Sequence, residues 1–159
     1  MNAHAKRHVI VVVGLVALVA AGTAFAAVHV GGTVRTAHNA ALNTMILVDE
    51  NGRTLYHITS DKGGNITCSG ACATIWPPLV VPKGTKPTAG PGITKSKLGT
   101  VKRPDGRIQV TYAGLTLYRY SGDSKAGQAK GEGFEKLWYV SDSSGKLVKK
   151  AASSGGYGY

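Results

Sequence analysis

The stretches Thr54–Trp76 and Thr116–Trp138 are two versions of one pattern: Thr-Leu-Tyr, an aspartate five residues after the tyrosine, and a tryptophan fifteen residues after the aspartate. A displacement of 62 residues places Gly52 on Gly114, Thr54 on Thr116, Leu55 on Leu117, Tyr56 on Tyr118, Asp61 on Asp123 and Trp76 on Trp138. Similar residues extend the match, with Ile46 on Ile108, Val48 on Val110 and Ile75 on Leu137, and the pairing needs no insertion. Six identities over the 25 positions from Gly52 to Trp76 exceed the roughly one or two that chance would give. Duplication is the simplest cause, and it predicts a fold of two related halves.

Local patterning says what the halves are made of. "MILVDENGRTLYHI" reads as strand, turn and strand, because Asn51 and Gly52 both tolerate the positive φ of a tight primed turn. "IQVTYAGLTLYRY" repeats this around Ala113 and Gly114, and "LGTVKRPDGRIQV" supplies a further hairpin through Pro104, Asp105 and Gly106. Short strands with frequent turns, and no periodic stretch of helical length after the leader, predict an all-β domain: a small antiparallel sheet domain of two tandem β-meander repeats. Repeat one is assigned to 44–81, a linker rich in proline and glycine to 82–97, and repeat two to 98–150. Residues 27–43 show no sustained apolar period and read as a flexible tether, and 151–159 read as a disordered tail.

Alternation along a strand puts Tyr56 and Ile58, like Tyr118 and Tyr120, on one face and Leu55 and Leu117 on the other. Asp61 and Asp123 fall just past the strand ends, where a carboxylate accepts backbone N–H groups and holds a loop together. Trp76 and Trp138 would return to cover the same core. These seven positions (Tyr56, Asp61, Trp76, Tyr118, Tyr120, Asp123 and Trp138) read first as a structural lock made twice, and second as a ligand surface.

The N-terminus has a different character. Lys6 and Arg7 precede an apolar run from Val9 to Ala21, and small residues follow at Ala24 and Ala26, the order of a secretory signal peptide over 1–26. Apolar residues continue to Val30, so an uncleaved helical membrane anchor through residues 9–30 is the other reading. Both place the remainder outside the cytoplasm, in the envelope or beyond it. Removing 1–26 takes Lys6 and Arg7 and no acid, leaving +9 of the chain's +11. Such a field attracts anionic polymers and membrane surfaces. Nucleic acid is disfavoured as a partner, since the cations are dispersed and accompany no recognition motif.

"LYRYSGD" and, more loosely, "LYHITSD" resemble the Y-x-[FWY]-x-x-D signature of a bacterial family called secreted repeat of unknown function, many of whose members are described as lipoproteins. "CSGACATIWPPL" is similar to that family's first repeat, and the likeness covers about residues 44–150. The resemblance implies tandem β-rich repeats outside the cytoplasm and no established activity. Ile58 replaces the aromatic of the signature, and no cysteine follows the leader's apolar run, so lipid attachment there is not implied.

Cys68 and Cys72 are the only cysteines, four residues apart in a stretch that could form a helical turn. Export favours a disulfide worth about 2 kcal/mol for so small a loop. Their counterparts in the second copy are Lys130 and Phe134, and a packing ring in place of a cysteine fits a structural bridge. The alternative is a soft metal site, with Cys68, Cys72 and His57 holding copper in an electron-transfer accessory protein. The eight acids fall mostly in turns, His57 is the one good general base, and no glycine-rich loop has the context to cradle phosphate. The expectation is a non-catalytic binding or structural module with no cofactor.

Overall fold

The computed structural model describes residues 33–149, and the signal or anchor assigned to the N-terminus and the tail assigned to 151–159 lie outside the described residues. Among the described residues, eight strands and one short α-helix follow in order: β1 Val34–Asn39, β2 Thr44–Asp49, β3 Tyr56–Ile58, α1 Ala71–Ile75, β4 Val80–Val81, β5 Leu98–Lys102, β6 Ile108–Tyr112, β7 Leu115–Thr116 and β8 Trp138–Val140. Every pair of these strands is antiparallel: β1 with β2, β3 with β8, and β6 with β4, β5 and β7. The all-β architecture of two repeats is therefore present, and the two copies are interleaved.

Four pairings show the exchange. β3 of the first copy pairs with β8 of the second, and β4 of the first pairs with β6 of the second. Reciprocally, Leu47 N–H donates to the Ser141 carbonyl at 2.9 Å, just as Val110 N–H donates to the Leu79 carbonyl at 2.8 Å. Tyr56 bridges Val140, and Tyr118 bridges Pro78, its counterpart one repeat away. At the centre Tyr56 and Tyr118 bridge each other through N–H to O distances of 2.8 and 2.9 Å, so a pseudo-two-fold axis passes between them.

The tether assigned to 27–43 must be corrected at its C-terminal end. Val34–Asn39 is a six-residue strand paired along its length with β2, and its outer side is bonded to the linker, where Gly90 N–H reaches the Val34 carbonyl and Thr36 N–H the Pro91 carbonyl. Its pattern is hard to see because only Val34 and Asn39 are buried, while Arg35, Thr36 and Ala37 are half-covered and His38 is exposed. β1–β2 is the first copy's version of the hairpin β5–β6.

The match without insertion also changes on contact with the backbone. Leu47, not Val48, occupies the place of Val110, so the first copy has one more residue in the turn before Thr54 than the second has before Thr116. Only Gly52 is at positive φ there (79°), and Asp49 Oδ1 closes the wider loop by accepting from Asn51 N–H at 2.9 Å and Arg53 N–H at 2.8 Å. In the second copy Ala113 (φ 49°) and Gly114 (φ 80°) make the two-residue primed turn expected of both.

The interleaved sheets separate two apolar clusters. Tyr56, Ile58 and Tyr118 enter one with Trp76 and Trp138, and half-buried Tyr120 packs against it. Leu55 and Leu117 enter the other with Leu47, Leu79 and Val110. The alternation read from the sequence is thus realised in both copies.

Candidate functional site

The repeated tyrosines, aspartates and tryptophans converge on the pseudo-two-fold axis. Tyr56 Oη donates to Asp123 Oδ2 at 2.6 Å, and Tyr118 Oη donates to Asp61 Oδ2 at 2.7 Å, so each copy's phenol is held by the other copy's carboxylate. The remaining oxygens hold loops, as expected: Asp61 Oδ1 accepts from Thr67 N–H and Thr67 Oγ1, both at 2.7 Å, and Asp123 Oδ1 accepts from Lys130 N–H at 3.0 Å. Asp61 Oδ2 takes a further bond from Thr116 Oγ1 at 2.6 Å. Both carboxylates and both phenols are buried.

Burial moves their proton affinities. It raises the Asp123 carboxyl above the ordinary carboxylate range, against the pull of the Tyr56 hydroxyl and Lys130 N–H. The Tyr118 phenol is pushed up to about 12 by burial and by the hydrogen bond to Asp61, and Tyr56 is raised further still by burial and the Asp123 charge. At neutral pH both phenols are donors.

The rings around these locks touch one another. Trp76 and Trp138 stack with centroids 3.9 Å apart and planes 2° from parallel. Tyr56 meets Trp76 edge-on at 5.4 Å and Tyr118 meets Trp138 edge-on at 5.2 Å, the same contact in each copy. Tyr120 stacks on Trp76 at 4.4 Å, and Phe134 closes the rim at 5.7 Å from Trp76. A Cβ at Gly131 would lie 2.7 Å from the Trp76 ring, so glycine is what lets the loop pass over the indole.

One side of this symmetrical centre carries polar groups that pattern reading does not reveal. Arg103 is buried, with Nη1 2.5 Å from Gln109 Oε1, Nη2 2.7 Å from the Cys68 carbonyl and Nε 3.2 Å from Asp105. Gln109 Nε2 in turn donates to the Leu117 carbonyl at 2.9 Å. The only signal was Arg103's place beside the Pro-Asp-Gly turn, and that turn accounts for the sequence there without it. Across the axis, Arg53 Nη2 donates to the Asp123 carbonyl, and Arg119 Nε pairs with buried Asp49 at 2.5 Å.

His57, the candidate base and metal ligand, is enclosed by the domain. It is buried on β3, with Nδ1 3.2 Å from the Thr116 carbonyl, and burial lowers its basicity. Cys68 and Cys72 are joined in a disulfide with Cα atoms 5.3 Å apart, and Phe134, at the position matching Cys72, packs against Trp76 and Tyr120. The disulfide ties up both sulfurs that the copper alternative required. Among the described residues, no three of His, Cys, Asp and Glu gather as metal ligands, so Cys68, Cys72 and His57 do not form one site.

A model of the family described as "Secreted repeat of unknown function" matches residues 45–80 and again 99–141, one match for each copy. The chain belongs to that family. In this secreted repeat protein the two matched segments together hold all seven lock residues, Tyr56, Asp61, Trp76, Tyr118, Tyr120, Asp123 and Trp138. No curated protein and no solved structure was found to match the chain.

Proposed function

We propose that the protein is an exported, non-catalytic module of the cell envelope whose two-repeat body presents a cationic surface to an anionic envelope polymer. The observation that carries this reading is the unequal burial of charge. Of the eight acids, Asp49, Asp61, Asp123 and Glu132 are buried inside the domain. The described residues include 16 of the 19 lysines and arginines (the total less Lys6, Arg7 and Lys150), and Arg103 is the one that is buried. Among the groups that reach the surface, cations therefore outnumber acids by a wider margin than the totals suggest, and a polyanion resting there would meet mostly lysine and arginine.

The internal locks support the same reading. Asp61 and Asp123 accept hydrogen bonds on both oxygens, which makes them parts of the scaffold. Lys86 and Lys95 flank a surface hollow of about 300 Å³ lined also by Pro87, Leu98, Gly99 and Thr100, a place where a phosphate-bearing chain could rest.

The test is retention of the exported protein on a teichoic-type polyphosphate polymer, with phosphatidylglycerol and phosphatidylcholine vesicles as separate arms. Retention on the polymer that falls steeply with added salt is expected. Failure to bind at low salt, or binding indifferent to salt, would overturn the reading. Preference for the anionic vesicles over the polymer would move the partner to the membrane surface.

A further inference from the structure

The ring cluster has a property that neither core packing nor a cationic surface requires: it is continuous from the half-buried rim to two phenols that each face a buried carboxylate. Tyr120 lies 4.4 Å from Trp76, Trp76 lies 3.9 Å from Trp138, and the indoles meet Tyr56 at 5.4 Å and Tyr118 at 5.2 Å. Tyr56 Oη is 2.6 Å from Asp123 and Tyr118 Oη 2.7 Å from Asp61, both within reach for direct proton transfer.

We propose that this cluster takes up oxidising equivalents from one-electron oxidants outside the protein, passing them through the indole pair to Tyr56 or Tyr118 while the phenolic proton moves to Asp123 or Asp61. The oxidant meets the cluster at half-buried Tyr120 and gains one electron from the buried Trp76 stacked beneath it, leaving an indole radical cation. An electron from Tyr56, or from Tyr118 by way of Trp138, then restores the indole. As that electron leaves, the phenolic O–H bond breaks and an O–H bond forms on the facing carboxylate, giving a neutral phenoxyl radical beside a neutral carboxylic acid. A one-electron reductant from solvent reverses both transfers.

Electrostatics drives the vacancy inward. A radical cation held on a buried indole is a charge in an apolar core, and such charges are costly. The phenol and carboxylate carry one negative charge before oxidation and none after it, so the same step discharges a buried carboxylate. Burial raises the basicity of Asp123, which helps it accept the proton. Phe134, at the rim, has no such chemistry and serves as cover.

The experiment is flash photolysis of the intact protein with a photogenerated ruthenium(III) polypyridyl oxidant, read by transient absorption and high-field electron paramagnetic resonance. An early tryptophanyl signal should give way to a long-lived tyrosyl signal whose g-tensor reports a hydrogen-bonded neutral phenoxyl, and its formation should slow in deuterium oxide. Trp76→Phe, which keeps a ring in the gap, should lose that tyrosyl signal, whereas Tyr139→Phe, outside the cluster, should retain it. A tyrosyl signal typical of a solvent-exposed ring, or one indifferent to Trp76→Phe, would overturn the proposal. Should Trp76→Phe fail to fold, the g-tensor and the isotope effect in the unaltered protein decide the matter.

Discussion

Tyr56 donates its hydroxyl proton to Asp123, 67 residues further along the chain, at 2.6 Å, and the same bond recurs between Tyr118 and Asp61. Each copy of the repeat is thereby fastened to the other by its own most recognisable residues. β3 with β8 and β4 with β6 add backbone pairing in the same crossed sense. Neither copy can open without breaking the other's ladder, so the domain should unfold in one step. Trp76→Phe and Trp138→Phe variants, each followed by its remaining indole and by far-ultraviolet circular dichroism, are expected to give coincident transitions.

Alkali should weaken the centre. The Tyr118 phenol ionises near 10 in the unfolded chain and at about 12 in the folded one, so between those values the folded state binds more protons and stability falls as pH rises. The loss attributable to this group is on the order of 2–3 kcal/mol once both values are passed. Urea midpoints should fall from about pH 10 upward, and Tyr118→Phe should make that decline shallower.

Much of this was legible in the repeat itself. The faces of Leu55, Tyr56, Leu117 and Tyr118 follow from strand alternation, and the loop-holding bonds of Asp61 and Asp123 follow from their place after the strands. β1 was misread as tether because its residues show no clean apolar alternation, although a hairpin upstream of the second copy calls for one upstream of the first. The partner of each aspartate was not legible: a repeat motif shows that tyrosine and aspartate belong together, and only the path of the chain decides which tyrosine meets which aspartate. Arg103 was hidden for another reason. A buried guanidinium needs acceptors such as Gln109 and the Cys68 carbonyl, which stand six and 35 residues away and share no pattern with it.

Acid should act through His57. Burial depresses its folded-state pKa below 6.5, so as pH falls below that value the unfolded chain takes up a proton first and stability declines until the folded imidazole is protonated. His57→Asn keeps a polar atom near Thr116 and should flatten the decline. Denaturation midpoints of the unaltered protein and of His57→Asn, compared between about pH 7.5 and 5.5 so that the raised Asp123 carboxyl is common to both, provide the check.

Arg103 and the disulfide should prove linked. Arg103→Met leaves the Cys68 carbonyl and Gln109 Oε1 without their donor in a buried place, at a cost of about 1–3 kcal/mol for each group left unsatisfied. Reduction of Cys68–Cys72 should by itself cost about 2 kcal/mol. Because the bridge helps place the Cys68 carbonyl, reduction should cost less in Arg103→Met than in the unaltered protein, as chemical denaturation with and without reductant would report.

The crossed lock itself is tested by double-mutant cycles on Tyr56, Tyr118, Asp61 and Asp123, using Tyr→Phe and Asp→Asn and reading unfolding free energy. Tyr118 with Asp61 and Tyr56 with Asp123 should each show a coupling of about 1 kcal/mol or more, while Tyr56 with Asp61 and Tyr118 with Asp123 should add to within about 0.5 kcal/mol. Coupling confined to the pairs within one copy, with additivity between copies, would contradict the interleaved arrangement.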